Sequence, residues 1–86
     1  MAALTSNRVY GEGAATRFYV YRQTNVTSGD TLALSGDFAR ILTVSAFDET
    51  RSEAFFTPAI AGTTLTITEA SLANDTVYVF VFGAPA

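Results

Sequence analysis

The run Thr76–Phe82 (TVYVFVF) is apolar on both of its sides. Side chains alternate along a strand, so Val77, Val79 and Val81 fall on one face and Tyr78, Phe80 and Phe82 on the other. β-Branched and aromatic residues at this density favour a strand and carry no helical period. A strand of this kind leaves water only if a layer covers each face. The chain must therefore close a sheet around it or present one face to a partner.

Arg17–Thr24 has the same character, with Phe18, Val20 and Arg22 alternating with Tyr19, Tyr21 and Gln23. Thr31–Leu34 places Leu32 and Leu34 on one side. Ile41, Thr43 and Val44 make Arg40–Ala46 a strand. Glu53–Thr57 carries the pair Phe55-Phe56 and reads as another, with Pro58 at an edge or ending it because proline cannot donate to a ladder. Thr63–Thr68 alternates cleanly, with Leu65 and Ile67 facing a core. Turn chemistry falls between these runs at Ser28-Gly29-Asp30, Ser35-Gly36-Asp37, Ala61-Gly62 and Asn74-Asp75. Glu69–Asp75 reads as a connection with room for one helical turn. Strands about ten residues apart with turns between them specify an all-β fold, a small antiparallel β-sandwich or barrel of six to seven strands.

Residues 1–16 are small and rich in Gly and Ala, and Gly11 and Gly13 break any long element. They read as a flexible N-terminal arm with a brief strand at Arg8–Tyr10. Residues 17–86 form the domain.

What is missing narrows the chemistry. The 86 residues include no His, Cys, Lys or Trp. That removes the Ser-His-Asp triad, the thiol nucleophile, the ordinary zinc site, the Schiff base and the P-loop lysine. No cofactor is expected, no enzyme activity, and no disulfide; the redox compartment stays open. Five Arg against eight acids give a net charge of −3, which argues against a nucleic-acid partner. No segment reaches the ~18 apolar residues of a membrane span. The first residues lack the pattern of a signal peptide, so synthesis is expected in a cytoplasm.

The remaining polar groups have simple accounts. Asp30 and Asp37 each follow a glycine at a turn. Asp48, Glu49 and Glu53 surround one loop, where carboxylates could hold calcium but without EF-hand spacing. Solvation of turns explains them more simply. Gly11-Glu-Gly13 matches the start of a phosphate loop and nothing more of it. Asn25-Val-Thr27 and Asn74-Asp-Thr76 fit the glycosylation pattern, as Thr-rich turns often do. Tyr19, Tyr21 and Arg22 could form an aromatic platform for single-stranded nucleic acid or a sugar, or could be tyrosines with one edge in the core.

The aromatic load is more telling. Seven Phe and four Tyr exceed what one small core takes. Two strands apolar on both faces mean covered barrel ends or a subunit interface. Small domains without disulfide or metal commonly oligomerise. A cyclic homo-oligomer, with a trimer favoured, is expected to bury Tyr19, Tyr21, Tyr78, Phe80 and Phe82. The alternative is a monomer with an unusually aromatic core.

The segments Val26-Thr-Ser-Gly-Asp-Thr-Leu32, Gly62-Thr-Thr-Leu-Thr-Ile67 and Val77-Tyr-Val-Phe-Val-Phe-Gly83 resemble those of short β-rich proteins encoded in the structural gene blocks of tailed bacteriophages, many from marine or cyanobacterial hosts. The resemblance covers about residues 24–83. It implies a virion structural protein, in particular a capsid decoration (cement) protein on the outer shell, made in the host cytoplasm and partnered by the major capsid protein or another virion protein. On that reading the arm orders upon docking, with Leu4, Val9 and Tyr10 as apolar anchors and Arg8 as a charge contact. The competing readings are a head–tail connector or tail or fibre module, and a monomeric carbohydrate- or ligand-binding module that uses Tyr19 and Tyr21.

Overall fold

The alternating runs fold as strands, and the turns fall where Gly, Asn and Asp permit them. The computed structural model describes residues 2–51 and 55–86. Its strands are β1 (Ala3–Leu4), β2 (Arg8–Glu12), β3 (Arg17–Val26), β4 (Asp30–Ala33), β5 (Phe38–Asp48), β6 (Ala59–Ala61), β7 (Thr64–Ile67) and β8 (Asp75–Pro85). They form two four-stranded sheets, ordered β1-β4-β7-β6 and β2-β3-β8-β5. Among the described residues, eight strands replace the six to seven expected.

The second sheet is antiparallel throughout. The first is mixed, because β1 runs parallel to β4 with Ala3 opposite Thr31 and Leu4 opposite Leu32. β1 and β6 are too short, and too rich in alanine, to carry an alternation. The run Glu53–Thr57 is not a strand where it is described. Phe56 makes one isolated bridge to Ala46 on the free edge of β5, with hydrogen bonds of 2.8 and 2.9 Å. Glu53 and Ala54 lie outside the described residues. The connection after β7 is a turn closed by Leu72 N–H donating to the Glu69 carbonyl at 3.0 Å, not a helical turn.

β8 is the centre of the larger sheet, paired along its length with β3 and β5. Val77, Val79 and Val81 enter the core with Ile41, Val44 and Ala46 of β5. The smaller sheet contributes Leu32, Leu65 and Ile67 to the same core, and Leu34 and Leu72 close it. Gly83 is required by a close approach. A Cβ there would lie 2.2 Å from the Arg40 carbonyl oxygen, where β5 bulges between Phe38 and Arg40. Asn25 and Asn74 adopt φ of 56° and 59°, the left-handed region that Asn tolerates best after Gly. Asn25 lies at the register irregularity near the end of β3, and Asn74 in the turn before β8.

The N-terminal segment is built into the fold instead of hanging free from it. β1 belongs to the first sheet and β2 to the second, so residues 5–7 cross between them. Two buried polar side chains hold this crossing. Gln23 accepts from Asn7 N–H at 2.7 Å and donates from Nε2 to the Thr5 carbonyl at 2.9 Å. The Asp30 carboxylate accepts from Ala2 N–H at 2.8 Å and Thr27 N–H at 2.9 Å. Leu4 packs against the core. Gln23→Leu keeps the volume and removes both tethers. It should cost about 1–3 kcal/mol in denaturant unfolding and speed amide exchange of residues 5–11 before the rest of the domain. Unchanged exchange there would show that the tethers do not hold the crossing.

Candidate functional site

Register decides which aromatic residues face outward. In the larger sheet Phe18 is opposite Phe82, Val20 opposite Phe80 and Arg22 opposite Tyr78. Across the other edge of β8, Phe47 is opposite Tyr78 and Ser45 opposite Phe80, while β2 sets Tyr10 against Val20. All of these lie on the side away from the core. Phe55 joins them, 5.2 Å from Phe47 and 5.9 Å from Phe80 between ring centroids. Phe18 stacks on Phe82 at 4.5 Å, and Tyr10 approaches Phe18 at 5.9 Å. Seven of the eleven aromatic residues therefore line one outward face of a four-stranded sheet. Phe55 is 63% exposed and Phe82 42%. Such a face belongs in an interface more naturally than in water.

Tyr78, Phe80 and Phe82 lie on this face. Tyr19 and Tyr21 do not, which corrects both the five-residue interface set and the tyrosine platform. Their register partners are Val81 and Val79, so they point into the core, and both are buried. Tyr19 meets the edge of Phe38 at 5.4 Å and lies under two guanidinium groups, Arg8 at 4.2 Å and Arg17 at 4.8 Å. The Tyr21 hydroxyl donates to Asp37 Oδ2 at 2.7 Å. Phe18 and Phe47, absent from the expected set, follow from pairing register and not from periodicity alone, whereas Phe55, outside the strands, joins only through its ring contacts.

Of the expected arm contacts, Arg8, Val9 and Tyr10 are exposed on β2, and Leu4 is spent on the core. An open concavity of about 440 Å³ runs along residues 8–13 beside Tyr19. Gly11 is needed there, because a Cβ would lie 2.6 Å from the Tyr19 ring. The Tyr10 hydroxyl donates to Glu12, and that bond pushes its pKa up.

The carboxylates have partners within the fold. Asp30 and Asp37 serve the tethers and Tyr21. Asp48 and Asp75 are buried beside Arg51 at the end of the larger sheet. Burial, then the hydrogen bond to Asp75, pushes the Asp48 carboxyl above the usual range. That same bond, against burial and with help from Arg51, holds Asp75 below it. The proposed calcium loop lies partly outside the described residues, among which no cluster of three or more metal-ligating His, Cys, Asp or Glu occurs. No helix among them is long and apolar enough to cross a membrane.

Burial and then the bond to Asp37 push the Tyr21 hydroxyl far above its ordinary value of 10.0. A raised folded pKa adds stability that is complete below the unfolded value and lost as pH rises above it. Absorbance titration should therefore leave Tyr21 un-ionised until alkaline unfolding. Tyr21→Phe should cost about 1–2 kcal/mol at neutral pH and lose less than the parent above pH 10. Equal alkaline losses would refute this. No protein-family model, no curated protein and no solved structure matches this chain.

Proposed function

We propose that the chain is a non-enzymatic structural protein of a tailed-phage virion, a decoration (cement) protein that binds the outer shell and stabilises it. The observation that supports this reading best is the outward aromatic face of the larger sheet. A two-sheet domain that spends seven aromatic residues away from its core is suited to packing against protein. The face would join copies of the chain in a homo-oligomer, with a trimer favoured. The β2 segment, carrying Arg8, Val9 and Tyr10, would contact the shell. Several weak contacts from one symmetric particle add through avidity.

Deleting residues 1–16 is a poor test, because it strips an edge strand from each sheet. Point substitutions separate the two surfaces. Phe82→Glu and Phe55→Glu, at exposed positions, should change single-chain stability by less than about 1 kcal/mol and reduce an oligomer to 9.1 kDa chains. Light scattering after size exclusion reads the mass. Val9→Asp with Tyr10→Asp should leave the mass unchanged and weaken saturable binding to purified shells of the encoding phage. A chain that is monomeric at every concentration and does not bind those shells would overturn the reading.

A further inference from the structure

We propose that Asp48 and Asp75 share one proton and form a latch that fixes the turn after β5 onto the start of β8, at the rim of the outward aromatic face. The latch would regulate the docking surface described above, and its meaning for docking rests on that reading. Its existence does not.

Asp48 is 0% exposed and Asp75 1%. Among the described residues, the charged group that acts on the Asp48 carboxyl is Asp75, from β8, while Arg51, from the turn, reaches Asp48 through its backbone and Asp75 through its guanidinium. Arg51 Nε donates to Asp75 Oδ2 at 2.8 Å, and its side chain is 44% exposed. Its backbone N–H donates to Asp48 Oδ1 at 3.3 Å. Asp48 Oδ2 is buried and, among the described residues, receives no hydrogen bond. Two buried carboxylates against one half-exposed guanidinium would leave a negative charge uncompensated. A proton on Asp48 removes that charge and lets its hydroxyl donate to Asp75. The raised pKa of Asp48 and the lowered pKa of Asp75 agree with this division.

The same turn reaches the aromatic face. Glu49 N–H donates to the Thr76 carbonyl at 2.9 Å, and Thr76 N–H donates to Thr50 Oγ1 at 2.8 Å. Glu49 points away from the pair and meets Arg22 at 3.6 Å, beside Tyr78 on the outward side. Opening the turn would release this ion pair and loosen the rim.

The sign of the pH dependence follows. Asp48 has a raised folded pKa, so its contribution is complete below the ordinary aspartate range and lost as pH rises through the raised value. Asp75 has a lowered pKa, so its contribution is lost only on acidification. Carbon NMR of the full chain should show the Asp48 carboxyl titrating above the ordinary aspartate range. Amide exchange at Glu49 and Thr76 should show the opening constant rising by about tenfold per pH unit across that interval and then levelling. Asp48→Asn, which keeps a donor to Asp75 without a titrating proton, should flatten that profile. An Asp48 carboxyl titrating in the ordinary range would overturn the latch, as would equal slopes in parent and variant. Native mass followed over the same pH range separates the two ideas. A chain monomeric throughout but with the NMR profile described keeps the latch and removes its role in docking.

Discussion

β8 sets the geometry on which the larger sheet depends. It hydrogen-bonds to β3 on one edge and to β5 on the other, and its register fixes which side chains of both neighbours enter the core. Val77, Val79 and Val81 fill the inside with short β-branched groups. That leaves Tyr78, Phe80 and Phe82 outside, and β3 and β5 add Phe18 and Phe47 beside them. A slip of one residue would exchange these sets and drive large rings into a space packed by valines. Gly83 and the bulges in β5 let the long strands stay paired to the end of β8.

Charge is scarce in this protein and is placed at joints. Asp30 holds the start of the chain to the turn before β4. Gln23 holds the crossing from one sheet to the other. Asp37 receives the Tyr21 hydroxyl and, through its backbone carbonyl, a hydrogen bond from Arg17. Asp48 and Asp75 lie with Arg51 where β5 turns toward the rim. Gln23, Asp30 and Asp75 are buried at a cost that their hydrogen bonds offset. Together they join strands whose own apolar contacts are few, such as the two-residue β1.

Much of this was legible in the sequence, and the reasons for the exceptions are physical. Strand-favouring runs located β3, β5, β7 and β8, and the inward role of Leu65 and Ile67 followed from their alternation with threonine. β1 and β6 were not legible, because two or three small residues make no pattern and exist as strands only by pairing with an edge. Phe55-Phe56 looked like a strand by composition, yet Phe56 makes only a single bridge. Tyr19 and Tyr21 read equally as interface residues or as core residues, because a two-sided apolar strand does not say which side faces in; the structure buries both.

The sequence by itself determined an all-β chain with its turns in place, a surplus of aromatic residues over what one core takes, and no His, Cys or Lys for chemistries that need them. Those properties are local, set by alternation, β-branching, turn residues and residue types. Only the tertiary structure decided which face of each two-sided apolar strand is buried, that residues 2–12 straddle both sheets, and that two distant aspartates meet beside one arginine. These depend on pairing between segments far apart in the chain. No local preference encodes such pairing, since a strand apolar on both sides can satisfy its own alternation equally well with either face turned inward.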